Sequence, residues 1–122
     1  RMFSAAAERE PDQIAHSLLG RADLRLQAAR AALDEAAARV DAGDAEGRAG
    51  AILAQRVRGI VADAAEEVLT LAEHGLGPAP LALDEDHARR TADLRIYLRQ
   101  HHAERDYAAL GRSLLQRGGV PW

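Results

Sequence analysis

The sequence predicts an all-α protein, an antiparallel bundle of three to four helices. Hydrophobic residues make up 48% of the 122 residues although aromatic residues make up only 3%. Apolar residues recur at helical spacings, and no stretch alternates apolar and polar residues as a half-buried strand does. Alanine, leucine, arginine and glutamate, all strong helix formers, dominate the composition. The core is therefore expected to consist of small and aliphatic side chains.

The length of the chain is that of one domain, since a single core commonly takes about 100–200 residues. We assign residues 1–18 to an N-terminal extension and the start of the first helix. Residues 19–117 form the helical bundle, and residues 118–122 form a C-terminal tail.

A first long helix is predicted from apolar residues that alternate steps of three and four. Pro11 suits the first helical position, Gly20 is a point at which the helix can kink, and Gly43 marks its end. Since every second position of the apolar seam is alanine, a neighbouring helix is expected to approach it closely. The seam consists of Leu19, Ala22, Leu26, Ala29, Leu33, Ala36 and Val40.

A second helix of roughly 30 residues, or about 45 Å, follows. Asp44 is its predicted N-cap and Gly75 its predicted end, while Glu66 and Glu67 are expected on its solvated face. Two glycines and two prolines then fall within residues 75–80, so this connection is expected to be non-helical. The apolar stripe of the helix is Leu53, Val57, Ile60, Ala64, Val68 and Leu71.

Asp84 is the predicted N-cap of a third helix, with Glu85 and Asp86 in its first turn. The apolar pattern then changes phase near residues 100–102. Either a short break there starts a fourth helix, or one long helix changes its buried face. The two stripes are Ala88, Ala92 and Ile96, and then Ala103, Tyr107, Leu110 and Leu114.

The charged residues exclude several functions. Sixteen basic and nineteen acidic residues give a net charge of −3, so no basic field is available for nucleic acid. All basic residues are arginine and cysteine is absent, which excludes lysine Schiff bases, thiolate nucleophiles, disulfides and thiolate zinc sites. No apolar run approaches the roughly 20 residues of a membrane span, and a cytoplasmic location is expected.

The densest group of ionisable residues lies at positions 100–106. On a helix His101 would face Arg105, and His102 would face Asp106. This group is either a solvated helix face or a loop and helix start that lines a cofactor cleft.

Two further groups of polar residues have the residue types of a metal site and of a pyrophosphate site. No Glu is followed by His three residues later, and N-capping explains Asp84-x-x-His87, so no metal site is expected. Arg89 and Arg90 either bind a pyrophosphate or form surface ion pairs.

The order of these segments resembles the C-terminal helical domain of the acyl-CoA dehydrogenase family of flavoenzymes, from Leu19 to Leu115. Four stretches carry the resemblance: residues 26–33 of the first helix, residues 73–77 at the end of the second, residues 87–93, and residues 97–102.

The resemblance implies a four-helix bundle at the centre of a homodimer or homotetramer that contacts FAD. The parent enzyme would be an oxidoreductase that removes the α-proton of an acyl-CoA thioester and passes the β-hydride to flavin N5. The implied cofactor-binding residues are His74, Gly75, Arg89, His101 and His102. The chain alone is expected to be inactive, because the family's other domains supply much of the flavin and acyl-CoA sites.

The chain departs from the family pattern at several positions. Ala72 stands where the family has Gln, and Leu76 where it has the second Gly of a pair. Counting from Asp93 places Ala92 at the family's Arg and Gln100 at its catalytic Glu, with His101 and His102 at the following Gly and Thr.

These departures affect the chemistry and leave a second interpretation open. An amide cannot act as the base, so the base would be Glu104, one of the two histidines, or a residue outside this chain. The alternative is a stand-alone helical interaction or oligomerisation module without a cofactor.

Overall fold

A computed structural model of the chain describes residues 12–118. Within this range no residue is in a strand, so the all-α prediction is confirmed there. Pro11 and the tail residues 119–122 lie outside the described residues. Residues 12–118 contain five helices: α1 (Gln13–Asp41), α2 (Gly47–Leu76), α3 (Ala79–Leu83), α4 (Glu85–Leu98) and α5 (Ala103–Arg117).

The helix α2 is the centre of the fold, because α1, α4 and α5 all pack against it. The helix α1 runs antiparallel to α2, with Arg25 Nε 2.5 Å from Glu67 Oε2. Glu67 was predicted to lie on the solvated face of α2, and in the structure it forms an ion pair that joins α2 to α1. On another side of α2, α4 lies beside its C-terminal half and α5 beside its N-terminal half, through the ion pairs Glu73–Arg95 and Arg58–Asp106.

The helix α1 begins at an N-cap, Asp12, whose Oδ1 accepts from the Ala15 N–H at 2.8 Å, and it continues without interruption through Gly20. Gly43 ends it with a φ of 76°. The N–H of Asp44 donates to the Arg39 carbonyl at 2.9 Å, as in a Schellman motif. The prediction that Asp44 caps α2 was therefore wrong, because this residue completes the end of α1; the N-cap of α2 is Glu46.

The boundaries after α2 also differ from the prediction. The helix passes through Gly75 and ends at Leu76, where Gly77 has a φ of 68° and donates its N–H to the Glu73 carbonyl at 2.9 Å. The short α3 then begins at Ala79, inside the stretch predicted to be non-helical. Pro80 is compatible with its first turn, where a missing N–H leaves no hydrogen bond unmade.

The start of α4 agrees with the prediction. Asp84 Oδ1 accepts from the His87 N–H at 2.9 Å, with Glu85 and Asp86 in the first turn. After Leu98 the chain leaves the helix for residues 99–102 before α5 begins, so the break is the correct alternative.

The alanine-rich seam of α1 is buried only in part. Ala22 and Ala29 are buried against the protein, whereas Leu26, Leu33 and Val40 are 46%, 50% and 62% exposed. The reason is that α2 packs closely on the alanines, which leaves the longer side chains on the flank of the contact.

The helix α2 buries two of its sides. Leu53, Ala64 and Leu71 are buried as predicted, while Ile60 is 41% exposed. A second buried side, with Ile52 and Gly59, was not predicted. It is buried because α5 packs there, with the Tyr107 ring beside Gly59.

Candidate functional site

Five residues form what we call the α4–α5 turn cluster: Arg58, Gln100, His101, Asp106 and Tyr107. The His101 side chain is 9% exposed, and its Nδ1 lies 2.8 Å from Asp106 Oδ2. Arg58 reaches over from α2, donating from Nη2 to the Gln100 carbonyl at 3.2 Å, with Nη1 3.8 Å from Asp106 Oδ2. The cluster therefore attaches the turn and the start of α5 to α2.

Tyr107 connects the α4–α5 turn cluster to Asp63 of α2. Its hydroxyl donates to Asp63 Oδ1, and its ring meets His101 edge to face at 5.8 Å between centroids. The hydrogen bond to Asp63 raises the pKa of Tyr107 to about 12; burial and the negative charges of Asp63, Glu66 and Glu104 also raise it. Near neutral pH the phenol is therefore a fixed donor to Asp63 rather than an acid or base.

The residues predicted at positions 100–104 are close in space but differ in exposure. Gln100, His102 and Glu104 are exposed, and only His101 turns inward. The expected pairs His101–Arg105 and His102–Asp106 are replaced by His101–Asp106, because α5 begins only at residue 103. His101 thus packs against α2 instead of facing an open cleft.

The other predicted cofactor-binding residues lie elsewhere. His74 and Gly75 are exposed in the last turn of α2. His74 is sixteen residues along α2 from Arg58, which is about 24 Å. Arg89 is paired with Asp86, its Nη2 3.0 Å from Oδ1, and Arg90 contacts the same carboxylate at 3.1 Å. A single chain does not bring these residues together with His101, so within residues 12–118 they form no complete flavin site.

The described residues contain neither a cluster of metal ligands nor a membrane-spanning helix. Between residues 12 and 118 no group of three or more His, Cys, Asp or Glu side chains is placed to hold a metal ion. None of the helices in that range combines the length and apolar character that crossing a bilayer requires.

The described residues leave an apolar surface along α1 and α2 uncovered. We call it the α1/α2 apolar face and define it by Leu26, Leu33 and Val40 of α1 and Ala54, Val57 and Val61 of α2. An open groove of about 450 Å³ runs between the two helices, and among the described residues that line it Arg58 alone is charged. The heptad spacing of the large α1 side chains was visible in the sequence, but their exposure was not.

Arginines from three helices line a second pocket, of about 250 Å³. We call it the arginine pocket: Arg39 of α1, Arg48 and Arg56 of α2, and Arg117 of α5, over Ile52 and Leu53. The sequence did not predict this pocket, because Arg39 meets Arg48 and Arg56 only through the packing of α1 on α2, and Arg117 comes from the far end of the chain. The signal in the sequence was the use of arginine for every basic residue.

Comparison of the chain with protein-family models, curated proteins and solved structures found no match. The structure of residues 12–118 is that of a helical domain with an apolar face that the described residues leave uncovered.

Proposed function

We propose that the chain is the C-terminal helical domain of an acyl-CoA dehydrogenase-like, FAD-dependent oxidoreductase. It contributes oligomer contacts and part of the wall of the flavin and substrate cleft, and it is not active alone. The observation that carries the proposal is the α1/α2 apolar face, because rows of half-exposed leucine and valine are unfavourable in water and are typical of a surface that another protein covers.

In this proposal a second copy of the chain covers the α1/α2 apolar face. The leucine row on α1 is a ridge and the adjoining groove is lined by small and β-branched residues, so two copies related by a two-fold axis can each place a ridge in the other's groove. From Leu26 to Val40 the face is about 21 Å long. At a width of about 18 Å for two helices, two such faces bury about 760 Å², the size of a weak contact that forms only at high protein concentration.

The oligomer is tested with Leu33→Asp and a matched control, Leu83→Asp. Leu33 is 50% exposed at the middle of the face, and Leu83 is 86% exposed at the end of α3. Light scattering of the wild-type chain should give twice the 13.1 kDa of one copy. Leu33→Asp should be monomeric with unchanged helicity, and Leu83→Asp should stay dimeric.

A second measurement does not depend on how well the aspartate variant folds. Because the chain has no cysteine, Leu33→Cys introduces a single thiol near the proposed axis. Oxidation should link two copies through it, whereas Leu83→Cys should not form the link. A wild-type chain that stays monomeric at every concentration would contradict the oligomer.

The flavoprotein part of the proposal is supported by the helix order and by the turn at residues 99–102. The family's catalytic Glu is followed by Gly and Thr, which break the helix. Here α4 and α5 are separated at the same place, and Gln100 lies in the break with an exposed side chain. The break is maintained by Arg58 and His101 in place of the family's Gly and Thr.

The base is assigned to a residue other than Gln100. Glu104 and His102 are exposed, whereas His101 is buried against Asp106. Of the two exposed candidates, Glu104 is preferred because it has the carboxylate of the family's base. FAD, when bound, supplies the hydride acceptor; this chain's share is to position the turn next to it.

Expression of the complete reading frame that encodes this chain tests the flavin proposal. The purified parent should show the visible absorbance of a bound flavin, and Gln100→Glu should raise its turnover with an acyl-CoA, because a carboxylate then stands at the position of the family's base. Arg30→Gln, on the exposed flank of α1, is the control. A colourless parent would remove the flavoprotein assignment.

The stand-alone interaction module is the second candidate. It is favoured by the separation of the predicted cofactor-binding residues, since His74 and the α4–α5 turn cluster lie about 24 Å apart along α2. This candidate predicts a reading frame no longer than the chain, no bound flavin, and the same dimer through the α1/α2 apolar face. The oligomer experiment thus tests both candidates, and the flavin experiment separates them.

A further inference from the structure

The arginine pocket is a concentration of positive charge in a chain whose net charge is −3. Four arginine side chains from three helices line a space of about 250 Å³, and no carboxylate is among the described residues that line it. Arg56 also interacts elsewhere, so Arg39, Arg48 and Arg117 carry the argument. Like charges gathered around one cavity repel each other. A bound anion between them removes this repulsion and accepts their hydrogen bonds, so the arrangement is typical of an anion site.

Helix dipoles account for two of the four arginines. Arg39 and Arg117 lie in the last turns of α1 and α5, where positive charge is favourable. Arg48 is different, because it lies in the first turn of α2, where positive charge is unfavourable. Its Nη1 donates to the Gln116 carbonyl at 3.4 Å, which holds the side chain at the pocket.

The N-terminus of α2 adds to the positive potential. Its N-cap, Glu46, makes no side-chain hydrogen bond to the first turn. Ala49, in that first turn, is among the residues that line the pocket. The first turn of α2, which carries the positive end of the helix dipole, therefore borders the same space as the arginine side chains.

The size and the lining of the pocket restrict the ligand. Sites for drug-sized molecules are about 300–1,000 Å³, so the arginine pocket suits a small anion or the charged end of a larger molecule. Ile52 and Leu53, at its base, are 4% and 8% exposed, which leaves little apolar surface for a ring to cover. Guanidinium groups bind phosphate oxygens in pairs, a geometry that lysine cannot offer.

We propose that the arginine pocket, between the end of α1, the start of α2 and the end of α5, binds one or two linked phosphate groups. The proposal is independent of the oligomer and of the flavin. It does not require the α1/α2 apolar face or the α4–α5 turn cluster.

Calorimetric titration of the 122-residue chain with inorganic pyrophosphate tests the site. The wild-type chain should bind it with saturation, and Arg39→Gln and Arg48→Gln should each weaken binding by about tenfold, the loss expected for one charge-assisted contact. Arg30→Gln is the matched control, because Arg30 is on the same helix as Arg39, is 75% exposed and pairs with Asp34 at 3.7 Å. It changes the net charge equally and should bind as the wild type does.

The outcomes separate a specific site from general electrostatic attraction. Absence of saturable binding, or an equal loss in Arg30→Gln and Arg39→Gln, would overturn the proposal. Circular dichroism of each variant, together with the shift of its unfolding temperature by pyrophosphate, distinguishes lost binding from lost folding. Sedimentation with vesicles that contain phosphatidic acid is compared with sedimentation with vesicles of phosphatidylcholine alone. This comparison shows whether the bound phosphate is that of a lipid headgroup or a free phosphate. Either source supports the site if Arg39→Gln weakens binding.

Discussion

The Nδ1 atom of His101 lies 2.8 Å from Oδ2 of Asp106, in the first turns of α5. Both atoms are buried, and within residues 12–118 neither has a partner that meets the geometry of a hydrogen bond, so the contact between them is a close electrostatic one. Each group therefore depends on the other for electrostatic compensation, since a buried polar or charged atom without a partner is unfavourable. Arg58 approaches the same carboxylate, so this contact joins α5, the turn before it and α2.

Asp106→Asn should destabilise the chain by about 1 kcal/mol, because it removes the charge that His101 and Arg58 share. Urea unfolding followed by circular dichroism measures the change. Asp34→Asn is the control, since Asp34 is 74% exposed and pairs with Arg30 within α1; its effect should stay below about 0.5 kcal/mol. Equal effects of the two variants would show that the cluster does not stabilise α5.

Tyr107 should titrate with a pKa of about 12, above the ordinary value of 10.0. In a Tyr97→Phe chain it is the only tyrosine, so the absorbance of tyrosinate reports on it alone. Adding Asp63→Asn should lower the midpoint, because the hydrogen bond to Asp63 is the largest cause of the shift. A midpoint that does not move with Asp63→Asn would show that the bond is absent in solution.

The raised pKa of Tyr107 also predicts how the free energy of unfolding changes at alkaline pH. The folded pKa lies above the unfolded one, so the contribution of Tyr107 is fully present below pH 10.0 and is lost as the pH rises toward about 12. The free energy of unfolding of the wild type should therefore fall over this range by more than that of Tyr107→Phe. The side chain is 40% exposed, so solvent screening reduces the size of the difference. Parallel curves for the two proteins would contradict this assignment.

Gly20→Ala should stabilise the chain by about 0.5–1 kcal/mol, because alanine has a higher helix propensity than glycine. Gly20 is inside α1, and a Cβ atom there would meet no heavy atom within 4 Å. Gly59→Val is expected to have the opposite effect on stability. A Cβ atom at position 59 would lie 3.2 Å from Cε1 of Tyr107, and the Tyr107 hydroxyl is hydrogen-bonded to Asp63. The valine should cost about 1–3 kcal/mol by forcing α5 away from α2. Thermal unfolding of both variants measures the two effects.

Asp84→Ala should cost about 1 kcal/mol, since Asp84 accepts the His87 N–H at the start of α4. Asp44→Ala is an informative control, because the sequence predicted the same role for Asp44 and the structure places it in the end of α1. A loss of stability in Asp44→Ala as large as that in Asp84→Ala would contradict the assignment of Glu46 as the N-cap of α2.

Local signals in the sequence were sufficient for most of the helix boundaries. The cap at Asp84 and the end at Gly43 depend on residues within one turn of the chain, and both were predicted from residue type and spacing. The end of α2 was misplaced by one residue, because Gly75 and Gly77 carry the same local signal and only Gly77 adopts a positive φ.

By itself, the sequence determined that this chain is helical, approximately where its long helices lie, and that lysine and cysteine chemistry are absent. Tertiary structure decided which residues of the α1 seam are buried. The helix α2 packs closely against the alanines of the seam, and Leu33 is left at the surface. Tertiary structure also decided the break after Leu98, where no glycine or proline stands and Arg58 holds the turn from another helix. The arginine pocket depends on the same kind of contact, between residues as distant as Arg39 and Arg117. Helix propensity acts over about four residues, whereas burial and clustered charge arise from packing between residues that are far apart in the chain.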